Sequence, residues 1–254
     1  MVKVVIDNRR GSVEHYAHFL LGFAIPLVHF HLEQSNPKTL VVRECGPMTR
    51  ILNELPLDLH ILPKEKFLNS DFPDTVRLRG FDDPDDYDFG VFKQFRDFVR
   101  QAAPPGLGNQ KHSPLLLVER DDPLPFYSSP EAESQGAGSE RRSIRNHREI
   151  SGRLASRYPS FANVKLENYS LYDQCFLFEA AEVLVAQYGA ALVNMVFMKE
   201  DSKVIEIGPR SRQKFMELLA KTMKLKYRAL DQASHFPKVD ADELCRIIDS
   251  LLGN

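Results

Sequence analysis

A surplus of charge of either sign is missing from this 254-residue sequence: 33 Lys and Arg stand against 35 Asp and Glu, for a net charge of −2. That balance excludes the global basic footprint of a nucleic-acid binder, so any anion site must be local. Cysteine is scarce. Cys45, Cys175 and Cys245 are an odd number at wide spacing, with no CxxC and no Cys/His pairing at zinc distances, and they read as reduced core thiols. A long apolar run is also lacking, since residues 16–30 are interrupted by His18, Pro26 and His29 and fall short of the roughly 18–20 residues of a membrane span. No signal-peptide pattern opens the sequence, which therefore reads as a soluble, cytoplasmic protein with no membrane span. With 13 Gly and 16 Pro, collagen-like and low-complexity classes are excluded. No repeat recurs at solenoid periods, and no GxGxxG follows the first apolar run, which argues against a nicotinamide enzyme.

What is present is a strand and helix alternation. At roughly 150 residues per domain the length corresponds to about 1.7 domains. Strands are expected at residues 2–6, 38–43, 59–62 and 75–78, with helices at 15–32, 48–55 and 91–102. After Pro104-Pro105 the alternation restarts, with strands at 115–119, 164–166, 183–186 and 203–207, an edge strand at 227–230, and helices at 143–158, 171–181, from 190, at 211–223 and at 240–252. Two unequal α/β units follow from this, 1–108 and 109–254, with the last helix a candidate to pack back on the first.

Four stretches are candidates to carry chemistry. Tyr188-Gly189-Ala190 turns tightly after a buried strand and opens a helix on small residues, which reads as a start that suits a phosphate or as an ordinary βα turn in which Gly189 allows close packing. Glu206 is expected to end the next strand at the height of ribose hydroxyls. Arg141, Arg142, Arg145 and Arg148 crowd an expected helix start, where the dipole disfavours cations; either an anionic ligand or a plain solvated face accounts for them, and Arg120, which points to the same edge, adds to the anion reading. The loop and helix at 7–19 hold Asp7, His15 and His18, the histidines three apart on one helical face and suited to take a proton from a hydroxyl. Two histidines without a third ligand do not make a metal site. The aspartate run from Asp82 through Asp83 and Asp85 to Asp88 reads as a solvated loop with a helix cap, or as a second source of a base.

The blocks Arg142-Ser-Ile-Arg-Asn146, 171–178, Val185-Ala-Gln-Tyr-Gly-Ala-Ala-Leu-Val-Asn194 and Val204-Ile-Glu-Ile-Gly-Pro209 resemble, in order and spacing, the catalytic region of glycosyltransferase family 61, across 115–230. His18-Phe19 and Pro26-Leu27 resemble its first helix more loosely. The resemblance implies a GT-B-like fold, two Rossmann-like domains facing across a cleft, with the acceptor on the first and the nucleotide-sugar on the second. It implies an inverting enzyme using UDP-xylose or, second, UDP-N-acetylglucosamine, a glycan acceptor, and no metal or other cofactor. Arg120 and Arg142 are then expected at the diphosphate, Asn146 on the loop or nucleotide, Gly189, Ala190 and Asn194 at the phosphate-facing helix start, and Glu206 on the ribose. Tyr188 departs from the family's His and cannot be a cation at neutral pH, which leaves more of the charge to the arginines.

Inverting transfer needs a base beside the acceptor. His18 and His15 come first, ahead of Asp7 and one of Asp82, Asp83 or Asp85. A non-catalytic nucleotide- or glycan-binding domain of the same fold is the alternative, supported by Tyr188; a nucleotide-sugar epimerase is weaker.

Overall fold

The computed structural model describes residues 1–7, 11–109, 112–211 and 214–253. The chain runs β1 (Val2–Asp7), α1 (Tyr16–Phe19), a π-helical turn (Leu20–Ala24), α2 (Ile25–Glu33), β2 (Leu40–Arg43), α3 (Thr49–Leu52), β3 (Leu59–Leu62), α4 (Lys64–Asn69), β4 (Thr75–Arg79) and α5 (Phe89–Ala102). It continues through β5 (Leu115–Val118), α6 (Gly138–Arg141), α7 (His147–Arg157), β6 (Phe161–Val164), α8 (Leu171–Ala180) and β7 (Val183–Gln187). A 3-10 helix (Ala190–Phe197), β8 (Lys203–Pro209), α9 (Phe215–Thr222), β9 (Lys226–Gln232) and α10 (Ala241–Leu252) complete it.

All strand pairings are parallel, in two sheets of order β3-β2-β1-β4 and β6-β5-β7-β8-β9. Parallel sheets bury both faces, and these strands show how. Leu116, Val118, Leu184, Ala186 and Val204 face a large core that also holds Val2, Val4, Leu40 and Val42 of the first sheet and Phe92, Phe95 and Val99 of α5. Leu115, Leu117, Val183, Val185, Ile205 and Ile207 alternate onto the opposite face, against α7 and α10. The two sheets thus share one apolar core, and α5 is wedged into it: the Phe95 and Phe197 rings lie 5.9 Å apart. Each strand order reverses once, between β1 and β4 and between β5 and β7, and at such reversals the loops diverge to leave a crevice at the carboxyl edge.

Several expectations shift. The last helix, offered above to the first unit, lies on the second sheet, because Leu244, Cys245, Ile247 and Ile248 complete the core under α7. α4 is an unforeseen helix, short and anchored by Phe67. The strand expected at 164–166 is β6, ending at Val164. The helix expected from 143 begins at His147, so Arg141, Arg142 and Arg145 precede it and only Arg148 meets its dipole. The helix expected at 211–223 spans Phe215–Thr222; residues 212 and 213, like 8–10 of the first loop, lie outside the described residues. Among the described residues, no helix is long and apolar enough to cross a membrane.

Candidate functional site

The crevice of the second sheet is built around the carbonyl of Tyr188, the first residue after β7. Arg142 Nη1 donates to it at 3.1 Å and Arg120 Nη1 at 3.4 Å. Arg120 Nε is held by the carbonyl of Gly138 at 3.2 Å, and the Arg142 guanidinium lies 4.6 Å from the centre of the Tyr188 ring. Gly189 makes this convergence possible. Its φ of 151° and ψ of −167° are open essentially to glycine alone, and a Cβ there would collide with Arg120 Nη1. Among the described residues, neither Arg120 nor Arg142 has a carboxylate within ion-pairing distance. Burial, followed by the neighbouring Arg142, pulls the Arg120 guanidinium down to about 10. Burial also lowers Arg142 and Arg141 adds to this, while Tyr188 and the Glu206 carboxylate pull the other way. Two partly desolvated cations held side by side make a site that favours an anion with several oxygens. Beside them opens a cavity of ≈ 320 Å³, lined by Arg120, Gln187, Ser139, Ser143, His147 and Lys165 among others.

The other donor-side expectations land differently. Ala190 opens the 3-10 helix and is half-buried. Asn194 is fully buried, its Oδ1 accepting from the Tyr16 hydroxyl at 2.7 Å and its Nδ2 donating to the Ala191 carbonyl at 3.2 Å, so it does not face the crevice. Asn146 holds the loop: Nδ2 donates to the Val239 carbonyl and Oδ1 accepts from the Val239 N–H, both at 2.9 Å. Glu206 does not end its strand. β8 runs on to Pro209, Glu206 pairs with Ala186 and Ala229, and it is 1 % exposed, below the edge where ribose hydroxyls were expected.

The first sheet's crevice holds a histidine and an aspartate. His18 Nδ1 lies 3.6 Å from Asp82 Oδ2, and the Asp82 side chain is 2 % exposed against 30 % for His18. The sequence brings them together through Pro26. Ile25 N–H bonds to the Leu20 carbonyl, one residue further back than in an α-helix, and Pro26 has no N–H, so the Leu21 carbonyl loses its helical donor. Phe81 N–H takes that carbonyl at 2.9 Å, which docks the loop after β4 on the helix and sets Asp82 beside His18. Gly80 allows the approach, since a Cβ there would sit 3.0 Å from the Gly22 backbone. On the other side of the ring, a Cβ on Gly11 would be 2.6 Å from His18 Nε2.

The remaining candidates for a base have other work. Asp83 caps a turn, accepting from the Asp85 N–H at 3.2 Å, and Asp85 is exposed. Asp88 caps α5 at 2.9 Å from the Val91 N–H, so most of the aspartate run is local capping. Asp7, 66 % exposed, lies 3.8 Å from Arg77. His15 precedes α1 and stacks on Tyr127, ring centroids 4.9 Å apart; burial, then Arg141 and His18, lower its pKa and keep it neutral. The Tyr16–Asn194 hydrogen bond fastens α1, which carries His18, to the 3-10 helix that Gly189 opens. Among the described residues, no three His, Cys, Asp or Glu side chains converge as metal ligands would.

Sequence reasoning missed Pro26, Gly80 and Tyr16. The prolyl residue inside an otherwise regular helical pattern was the available signal for the first.

A search of curated proteins finds no match to the chain. The family model described as Glycosyltransferase 61 matches residues 16–205, from the Tyr16 that fastens the two crevices to the strand beside Tyr188. The family is one of transferases that take a sugar from a donor to a glycan acceptor, and this chain belongs to it.

Proposed function

We propose that the protein is an inverting glycosyltransferase of GT-B-like arrangement. It moves a sugar, xylose first and N-acetylglucosamine second, from a UDP-sugar to a hydroxyl of a glycan acceptor. Residues 1–108 take the acceptor and 109–254 the donor. The observation that carries the reading is the pair Arg120 and Arg142, converging on the Tyr188 carbonyl at the reversal of the second sheet with no carboxylate of the described residues within ion-pairing distance. The order of the two sugars rests on the resemblance of the sequence blocks.

In the transfer the acceptor oxygen attacks the anomeric carbon as its proton passes to His18 Nε2. The bond from that carbon to the diphosphate breaks, and the electron pair leaves on the β-phosphate oxygen, opposite the two guanidiniums. Asp82 Oδ2 lies 3.6 Å from Nδ1, where its charge favours the tautomer protonated on Nδ1, with the Nε2 lone pair free, and offsets the charge of the imidazolium that forms. Fixed guanidiniums need no reorganisation as charge develops, and their desolvation strengthens each contact, so the leaving group is met without a metal.

Thermal melting with UDP-xylose, UDP-N-acetylglucosamine and GDP-sugars, with and without chelator, followed by product analysis, tests the reading. A donor at a hundred times its Kd adds about 2.7 kcal/mol, or roughly 5–10 °C at this chain length. The expected result is stabilisation by a UDP-sugar, insensitive to chelator, and a transferred sugar of inverted configuration. Stabilisation by UDP-sugars without transfer or hydrolysis would establish the non-catalytic binding domain instead. Stabilisation by GDP-sugars alone would overturn the donor assignment.

A further inference from the structure

Residues 121–140 are a polar stretch to which the transfer chemistry gives no part, yet in the structure they bridge the two crevices. Glu133 is the point of attachment. Its Oε2 accepts from the Ser12 hydroxyl at 2.6 Å, and its Oε1 meets Arg43 Nη2 at 2.6 Å and Lys64 Nζ at 2.6 Å. All three partners belong to the first sheet's side: the loop leading to His15, the end of β2 and the start of α4. The Glu133 side chain is 20 % exposed.

The attachment continues into the site. The Glu133 N–H donates to Glu14 Oε2 at 2.6 Å, and the Tyr127 hydroxyl donates to the Glu14 carbonyl at 2.6 Å, while the Tyr127 ring covers His15. At its far end the same stretch turns back on itself: Gly136 N–H donates to the Tyr127 carbonyl at 3.1 Å, and Ser139 N–H to the Asp121 carbonyl at 2.9 Å. The Gly138 carbonyl then receives Arg120 Nε, and Arg142 follows four residues on. One short segment therefore links a carboxylate clamp on the first sheet's side to both guanidiniums on the second. Apart from Tyr127 and Ile144, residues 121–147 contribute no buried apolar side chain, so apolar burial does little to hold the segment in place.

We propose that Glu133 is a positioning residue for the donor site: by clamping residues 125–142 to Ser12, Arg43 and Lys64 it sets the segment that carries Arg142 and braces Arg120. The proposal rests on the reading of the Arg120 and Arg142 crevice as the diphosphate site. Its physical content is a population. A donor binds the clamped segment, so its apparent affinity falls by the fraction of molecules in which the clamp is open.

The test uses the full chain, the variants Glu133→Ala and Glu133→Gln, and UDP as the probe, with amide hydrogen exchange, UDP affinity and donor KM against kcat as readouts. In Glu133→Ala, exchange should accelerate over residues 125–142 and stay unchanged in β5 and β7, which shows that the fold is intact. A clamp open in about nine molecules of ten weakens UDP about tenfold. The loss should fall mainly on donor KM, and saturating UDP should restore protection of 125–142. Glu133→Gln keeps one acceptor oxygen, enough for Arg43 or for Ser12 but not both, and loses the charge, so it should lie between wild type and Ala. Wild-type exchange and UDP affinity in Glu133→Ala would overturn the role given to Glu133 while leaving the donor site standing. A wild-type chain that binds no UDP would overturn the donor reading and this role with it.

Discussion

Replacing Gly189 by alanine probes the donor-side geometry at its tightest point. Two separate effects are at work. The backbone at φ 151° and ψ −167° is a region that side chains other than glycine enter at a cost of about 1–3 kcal/mol. The new methyl also collides with Arg120 Nη1 and comes within 3.4 Å of Arg142 Nη1, so at least one guanidinium must leave the Tyr188 carbonyl. For a chain of this length the backbone effect alone lowers Tm by roughly 2–12 °C. The double variant Gly189→Ala/Arg120→Ala separates the two: removing the guanidinium removes the collision and leaves the strain, so the Tm losses of the two single variants should sum to more than that of the double variant. Differential scanning calorimetry of the wild type and the three variants, with and without UDP, measures both. Gly189→Ala should also weaken UDP about tenfold, the effect of losing one charge-assisted contact of about 1.4 kcal/mol. The reasoning is refuted if Gly189→Ala melts within about a degree of wild type and binds UDP equally well.

Two further outcomes follow from the contacts between the sheets. Burial pushes the Glu133 carboxyl up, but the hydrogen bonds from Lys64, Ser12 and Arg43 outweigh this and hold it at about 2. A carboxyl lowered on folding stabilises fully above its unfolded pKa of about 4.3 and loses that contribution as pH falls toward 2, so Tm should drop more steeply over this interval in wild type than in Glu133→Gln. Tyr16→Phe deletes the donor to the buried Asn194 Oδ1, leaving an unsatisfied acceptor at a cost of about 1–3 kcal/mol, and should lower Tm by several degrees in a melting scan.

Much of the architecture is legible in the sequence because parallel strands buried on both faces are short apolar runs, such as Leu115 to Val118 and Val183 to Gln187, that stand out between polar segments. Boundaries set by tertiary contacts are not legible. β8 runs past Glu206 because β9 pairs with it as far as Pro209 and Gln232, and no local pattern announces that pairing. α7 starts late because Asn146 is engaged with Val239, a partner 93 positions away. The site divides in the same way. Arg120 and Gly189 are readable from their places after buried strands and Arg142 from the arginine cluster ahead of a helix, and the structure brings them together. Among the aspartates the sequence offers no ranking, since the choice of Asp82 depends on the Leu21 carbonyl that Pro26 and the π-helical turn release. The family resemblance offers Asn194 as part of the phosphate-facing helix start, but Tyr16, far away in sequence, claims it. Glu133 carries no sequence signal, because its three partners come from three separate elements of the other sheet's side.

The central claim is that a histidine held by Asp82 on one sheet and two guanidiniums on the other act in one displacement. Single-turnover transfer and donor binding, measured together for His18→Ala and Arg142→Ala with the anomeric configuration of the product, test it most directly. The account predicts that His18→Ala binds donor as wild type does but transfers about 10²–10⁴-fold more slowly, that Arg142→Ala loses donor binding, and that the product is inverted. Transfer by His18→Ala at the wild-type rate, or a product that keeps the donor's configuration, would contradict it.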